Sequence, residues 1–150
     1  MNIVETFGIN SRIVFPLRRV EKLREISKKD WKADGMLTYV IRIYPNTRLS
    51  TLSNHYQLVI MGPVSVSASR WHVYRLTSPD TIVSNEDLES SKKDTAFVKD
   101  TGVEENREAA CSIQEGLLGD GNSYFTFGRF EKAIVHFNRQ LNAHVNESSS

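Results

Sequence analysis

The sequence has 150 residues, of which 39% are hydrophobic and 25% charged, so it falls within the range of ordinary single soluble domains. Nineteen Lys and Arg are offset by eighteen Asp and Glu, and a net charge of +1 argues against a general nucleic-acid-binding surface. The single cysteine excludes an intrachain disulfide and predicts a reducing, cytoplasmic location.

Neither a membrane nor a nucleic acid is predicted as a partner. No apolar run approaches the roughly 18 residues of a membrane-spanning helix, and the N-terminus lacks the pattern of a secretory signal. The most basic stretch, residues 18–32, interleaves Lys and Arg with acidic residues, as a solvated helix face does.

The first predicted element is a helix that begins near Pro16, because a first helical turn tolerates proline. Apolar residues then recur at every third position: Leu17, Val20, Leu23 and Ile26. This single apolar stripe predicts a helix that continues to Trp31. Asp34 and Gly35 are expected to end it.

Short strands are predicted next. Residues 36–44 alternate in hydrophobicity at period two, which is typical of a half-buried strand. Further strands are predicted over residues 48–52, 56–61 and 64–76, with a break at Gly62 and Pro63. Because the strands are short and joined by short turns, they predict an antiparallel meander.

The last part of the sequence predicts helices. Asn85 and the preceding serine can cap a polar helix that Gly102 ends, and a second helix is expected over residues 104–118. A loop over residues 119–122 precedes a final amphipathic helix, residues 128–145. We expect four apolar residues of this helix to face the sheet: Phe130, Ile134, Phe137 and Leu141.

Strands followed by helices predict an α+β fold, in which an antiparallel meander packs against helices and a long amphipathic helix closes the chain. We expect residues 1–146 to form a single domain and residues 147–150 to form a polar tail.

No residue pattern identifies a catalytic site. The sequence lacks a phosphate-binding glycine motif and a nucleophile elbow. Its histidines lack the spacing that places two imidazoles on one metal from a single element, so surface or core-edge positions are expected for them. They are His55, His72, His136 and His144.

Several segments, in order and in register, resemble the C-terminal part of the catalytic domain of Rieske-type ring-hydroxylating oxygenase α subunits. They read FGINSRIVFP at residues 7–16, IYPNT at 43–47, IQEGL at 113–117 and FGRFEKAIVHFNRQL at 127–141. The resemblance implies a helix-grip (START-like) fold, in which the sheet wraps the last helix and encloses a hydrophobic pocket for an apolar or aromatic substrate.

The resemblance also implies which cofactors to consider. Relatives bind a non-haem iron through two histidines and one carboxylate, and a separate Rieske domain supplies electrons from a 2Fe-2S cluster. One cysteine cannot hold that cluster, and the histidine pair has no counterpart in this sequence. The Rieske domain is therefore expected to be missing, and no cofactor is expected in the isolated chain.

The resemblance places the family's metal-binding carboxylate at Asn106, whose neutral amide would not balance the charge of ferrous iron. We expect this metal position to be non-functional. Glu105, or Glu104 before it, is the weaker alternative ligand and would need a shift of the helix start. In the last helix, His136 and Asn138 are both expected on the outer face, and no catalytic residue is predicted.

Three functions stay open, so the sequence does not decide whether the chain is an enzyme. The first is a truncated or stand-alone segment, inactive alone, that binds at most a small apolar or aromatic molecule. The second is a subunit of a split oxygenase, completed by the Rieske cluster and histidines of a partner chain. The third is a structural or interaction protein.

Assembly follows from the same resemblance. If strands of the family fold are missing, a sheet edge or apolar face is uncovered and can pair with another chain. We therefore expect a homo-oligomer or a partner chain.

Overall fold

The computed structural model describes residues 2–32, 35–52, 55–77, 84–119, 124 and 126–147. Its strands are β1 Ile3–Phe7, β2 Asn10–Pro16, β3 Leu37–Ile43, β4 Thr47–Thr51, β5 Tyr56–Ser65 and β6 Ala68–Leu76. Its helices are two 3₁₀ helices, Arg18–Glu25 and Lys28–Asp30, and two α-helices, α1 Asn85–Leu118 and α2 Lys132–Glu147. The α+β fold predicted from the sequence is confirmed.

The strands form one six-stranded sheet in which each strand pairs with its neighbour in sequence, from β1 to β6. Every pairing is antiparallel. This is the predicted meander, and it needs no crossover because each turn returns the chain directly beside the preceding strand.

The hairpin of β1 and β2 was not assigned by the sequence patterns. Phe7 pairs with Asn10 across a two-residue turn, in which Gly8 has a φ of +59°. Tight hairpin turns favour glycine at such a position because it has no Cβ to clash. Gly8 was therefore the local signal for this hairpin.

The segment after Pro16 is helical but not one α-helix, so that prediction is wrong in detail. Two 3₁₀ helices are separated by extended backbone at Ile26, with φ −121° and ψ 156°. A 3₁₀ helix has three residues per turn, which matches the three-residue spacing of the apolar stripe. Trp31 ties the segment together by donating its Nε1–H to the Leu23 carbonyl at 2.9 Å.

The break predicted at Gly62 and Pro63 is also wrong. Strand β5 continues to Ser65, and the turn lies at residues 66–67. The register of β5 and β6 shifts between Pro63 and Ser65. An irregularity of this kind accommodates proline because a residue without an N–H need not join the ladder there.

Gly102 does not end a helix, contrary to prediction, because α1 runs unbroken from Asn85 to Leu118 over 34 residues. Glycine costs about 1 kcal/mol relative to alanine inside a helix, but it keeps its backbone N–H and can continue the hydrogen-bond ladder. Among the described residues, neither helix has the length and apolarity needed to cross a bilayer.

Helix α2 lies against β1 and β2. It begins at Lys132, later than predicted, so Phe130 precedes the helix and is 72% exposed. The inward prediction is wrong for Phe130, and Ile134 and Leu141 are both more than one-third exposed. Phe137 does pack on the sheet side, where its ring centroid lies 6.0 Å from that of Tyr44.

We expect Gly8→Ala to lower the free energy of unfolding by about 1–2 kcal/mol, because a Cβ is unfavourable at positive φ. An added Cβ at Gly8 would meet nothing within 4 Å, so backbone strain is the only cost. Gly62→Ala is the matched control, since its Cβ also meets nothing and its φ is not left-handed. Urea unfolding measures both variants, and equal losses would contradict this account of the turn.

Candidate functional site

One face of the sheet carries a row of cross-strand partners. Ser11 pairs with Arg42, Arg42 with Arg48, and Arg48 with Val59. Directly opposed residues in antiparallel strands point to the same side of a sheet. Gln57 points to that side as well, because it lies two positions from Val59 in β5. We call this side, defined by Ser11, Arg42, Arg48, Gln57 and Val59, the arginine face.

Helix α2 covers part of the arginine face. The guanidinium carbon of Arg42 lies 4.6 Å from the centroid of the Phe137 ring, a cation–π contact. The Tyr44 ring lies 6.0 Å from Phe137 and 6.0 Å from the imidazole of His144. One ring of the helix therefore contacts one of the two cations, and the ring of Tyr44 in the β3–β4 turn lies beside that ring.

Both arginines of this face are partly removed from water. Burial lowers the pKa of Arg48, and burial together with the like charge of Arg48 lowers the pKa of Arg42. Arginine nevertheless stays protonated in proteins, so the site holds two positive charges side by side. The Nη2 of Arg48 donates a hydrogen bond to Oε1 of the buried Gln57 at 3.1 Å.

Within the described ranges, no carboxylate forms a salt bridge with either arginine. The ion pairs found there join Arg12 to Glu5, and Arg24 and Lys92 to neighbouring glutamates. Arg12 lies on the opposite side of the sheet from Arg42, because its cross-strand partner is Ile41. The positive charge of the arginine face is thus not balanced by the part of the chain that the structure describes.

Two buried nitrogens have no hydrogen-bond partner in the described structure: Nε of Arg48 and Nε2 of His136. Leaving a buried polar group unpaired costs about 1–3 kcal/mol, so such atoms are uncommon without a reason. The sequence had predicted His136 on the outer face of the helix. This prediction is wrong, because the Nε2 atom of His136 is buried. Asn138 is exposed as expected, and its Nδ2 donates to the Ile134 carbonyl at 3.0 Å.

The sequence-predicted metal position lies in α1. The side chains of Asn106, Glu105 and Glu104 lie outside the described residues, so their roles stay predictions. In the described part, no three His, Cys, Asp or Glu residues are grouped to hold a metal ion. His72 belongs to β6 and pairs with Ile60, which points away from the arginine face. The described residues do not fit the iron site that the family resemblance implies.

A concave region, with a volume of about 830 Å³, lies between the β5–β6 hairpin and the C-terminal half of α1. Trp71 and Val66 line it from the hairpin, and Cys111, Gln114 and Glu115 line it from the helix. The thiol of Cys111 is free and exposed. The IQEGL segment thus lies beside the hairpin.

An antiparallel sheet with a long C-terminal helix on one face defines the class of the protein as an α+β domain. The family model "Ring hydroxylating alpha subunit (catalytic domain)" matches residues 9–147, and the chain therefore belongs to this family. No curated protein and no solved structure shows significant similarity to the chain.

Sequence reasoning missed the arginine face. The alternation in β3 identified the apolar side that contains Tyr39 and Ile41, and it indicated no role for Arg42 on the other side. The available signal was that Arg42 and Arg48 flank the short β3–β4 turn at equal distance, which in an antiparallel hairpin places them opposite each other.

Proposed function

We propose that this chain is a small-molecule-binding member of the ring-hydroxylating catalytic-domain family, without oxygenase activity of its own. Its ligand would be apolar or aromatic and would bind between α2 and the arginine face. The observation that carries the proposal is the buried, unpartnered Nε2 of His136, on a helix whose next residue, Phe137, contacts the sheet.

The chemistry of this region supports an aromatic ligand. Phe137 and Tyr44 offer ring faces and edges, and aromatic pairs contribute about 0.5–1.5 kcal/mol beyond the area they bury. A polar substituent of the ligand would give His136 Nε2 the hydrogen-bond partner that it otherwise lacks. Rings with a few convergent polar groups are typical of small-molecule sites.

The donor set supports the inactive part of the proposal. Non-haem iron in this family needs two imidazoles and a carboxylate on one face of the ion. The described residues offer no such group, and the aligned carboxylate position holds Asn106, an amide. In the alternative function, a split oxygenase subunit, a partner chain would bring the histidines and the Rieske cluster.

We expect indole, a neutral aromatic probe, to bind and raise the melting temperature. A ligand at one hundred times its Kd stabilises the folded state by about 2.7 kcal/mol. Phe137→Leu should weaken indole binding about tenfold, because it removes the ring but keeps an apolar side chain. Phe130→Leu is the control, since Phe130 is 72% exposed and precedes α2. Calorimetry measures both variants, and equal effects would contradict the proposed location.

Metal analysis of the same preparation tests the inactive part. We expect iron well below one atom per chain. One tightly bound iron per chain with nitrogen ligation would contradict the inactive part of the proposal, because histidines of this chain or of a second copy would then have to supply the ligands.

We further propose that the chain self-associates through the side of the sheet opposite to the arginine face. Large apolar side chains there are more than 40% exposed: Ile3, Phe7, Tyr56, Tyr74 and Leu76. Tyr56, Tyr74 and Leu76 are neighbours on β5 and β6, whereas Ile3 and Phe7 lie on β1 at the other edge of the sheet. Exposed apolar side chains grouped as on β5 and β6 are typical of interaction sites. A second copy would bury them by a twofold contact, the commonest symmetry of soluble homo-oligomers.

Light scattering should therefore give the mass of a dimer. Tyr74→Lys should shift the protein to monomer, because a charge would lie in the proposed contact. Val73→Lys is the matched control, since Val73 and Tyr74 are adjacent on β6, point to opposite faces and are each 48% exposed. A wild-type monomer at high concentration, or equal effects of the two variants, would overturn the proposed contact.

A further inference from the structure

Arg42 and Arg48 are held against each other by the fold. They are direct cross-strand partners in β3 and β4, an arrangement that brings Cβ atoms to within about 4.5–5.5 Å and makes like charges destabilising. Both are half-buried, so water screens their repulsion less than it would at the surface. A protein that keeps such a pair gains most when an anion lies between the two cations.

Among the residues that the structure describes, the neighbours of the pair do not supply that anion. Ser11 and Val59, the next residues in the cross-strand row, are neutral. Gln57 offers Arg48 one amide oxygen, and Phe137 offers Arg42 a ring face. These contacts orient the guanidinium groups without neutralising them.

Arg48 still has hydrogen-bond donors that no described residue accepts. Its Nε is buried without an acceptor in the described structure, while Nη2 uses one of its two hydrogens for Gln57. The adjacent Nε–H and Nη2–H of a guanidinium match the two oxygens of a carboxylate, and charge-assisted bonds of this kind are about twice as strong as neutral ones. Phosphate would also satisfy the charge, but the Phe137 ring on Arg42, with the Tyr44 ring beside it, favours a ligand with an apolar body.

We propose that Arg42 and Arg48 bind the carboxylate of the ligand and that the ligand is therefore a small aromatic carboxylate. This rests on the proposed function, because it names the chemical class of the molecule that would bind beneath α2. Arg48 makes the directional bonds, and Arg42 balances the second unit of charge while packed on Phe137.

Benzoate and benzamide test this inference, because they have nearly the same shape and differ in charge. The wild-type chain should bind benzoate at least tenfold more tightly than benzamide in calorimetry. Arg48→Met should reduce benzoate affinity at least tenfold and leave benzamide affinity unchanged. Arg12→Met is the control, since Arg12 pairs with Glu5 on the other side of the sheet, and it should change neither affinity.

The outcomes separate this inference from the proposed function. Equal binding of benzoate and benzamide would overturn the carboxylate site but support a neutral aromatic ligand. Binding of neither molecule, nor of indole, would overturn both. Equal losses of benzoate affinity in Arg48→Met and Arg12→Met would show a general charge effect and would also overturn the site.

A second measurement tests whether a carboxylate of the chain itself balances the pair. Arg42→Met keeps a contact with the Phe137 ring, because sulfur packs well against aromatic rings. Without ligand, its melting temperature should equal or exceed that of the wild type, since a repulsion is relieved. A loss of stability larger than the cation–π contact with Phe137 explains, about 2 kcal/mol, would mean that Arg42 already has an anionic partner in the chain, and the ligand site would be wrong.

Discussion

The register of β3 against β4 decides which side chains lie under α2, because a slip of one residue would turn every side chain of a strand to the other face. Hydrogen bonds to the neighbouring strands hold the β3–β4 turn in place. The Tyr44 N–H donates to Oδ1 of Asn10 at 2.9 Å, which ties the end of β3 to the start of β2. Asn46 exchanges bonds with Met61, through its Nδ2 at 2.8 Å and its carbonyl at 3.0 Å. The turn is thereby joined to strands on both sides.

The consequence of this register is electrostatic. It places two guanidinium groups opposite each other on the side that receives Phe137, and it places the larger apolar residues of β3 on the other side. A sheet that buries cations under a helix and exposes apolar side chains has an unusual distribution of charge. In our account, a carboxylate ligand occupies the first side and a second copy of the chain covers the other.

In our account, the side chains of the arginine face bind a ligand and take no part in oxygen chemistry. Guanidinium and amide groups bind anions and polar substituents, but they do not ligate ferrous iron as imidazole and carboxylate do. Membership of the ring-hydroxylating family agrees with the fold. Recognition of a ligand by the described side chains is our proposal. The role of Asn106 stays a prediction because its side chain is not described.

The sequence predicted the elements whose patterns are long and regular. The alternation around Tyr39 and Ile41 and the apolar stripe containing Phe137 were enough for the meander and the final helix. It failed at Pro63 and Gly102, because pairing with β6 and the helical hydrogen-bond ladder outweigh a local tendency to break.

The arginine face depends on contacts between residues distant in sequence. Alternation shows that Arg42 and Tyr39 lie on opposite sides of β3, but it does not show which side a later helix will cover. The sequence therefore predicted no role for Arg42, and it predicted the outer face of the last helix for His136. The same limit applies to the apolar side of the sheet. The exposure of Tyr74 depends on how the strands assemble, and the sequence alone does not show it.

A crystal structure of the protein grown with benzoate would test the central claim most directly. Our account predicts density for the carboxylate between the guanidinium groups of Arg42 and Arg48, with the ring against Phe137. Benzoate bound in the concave region beside Trp71 and Cys111, or a carboxylate of the chain itself between the two arginines, would contradict it.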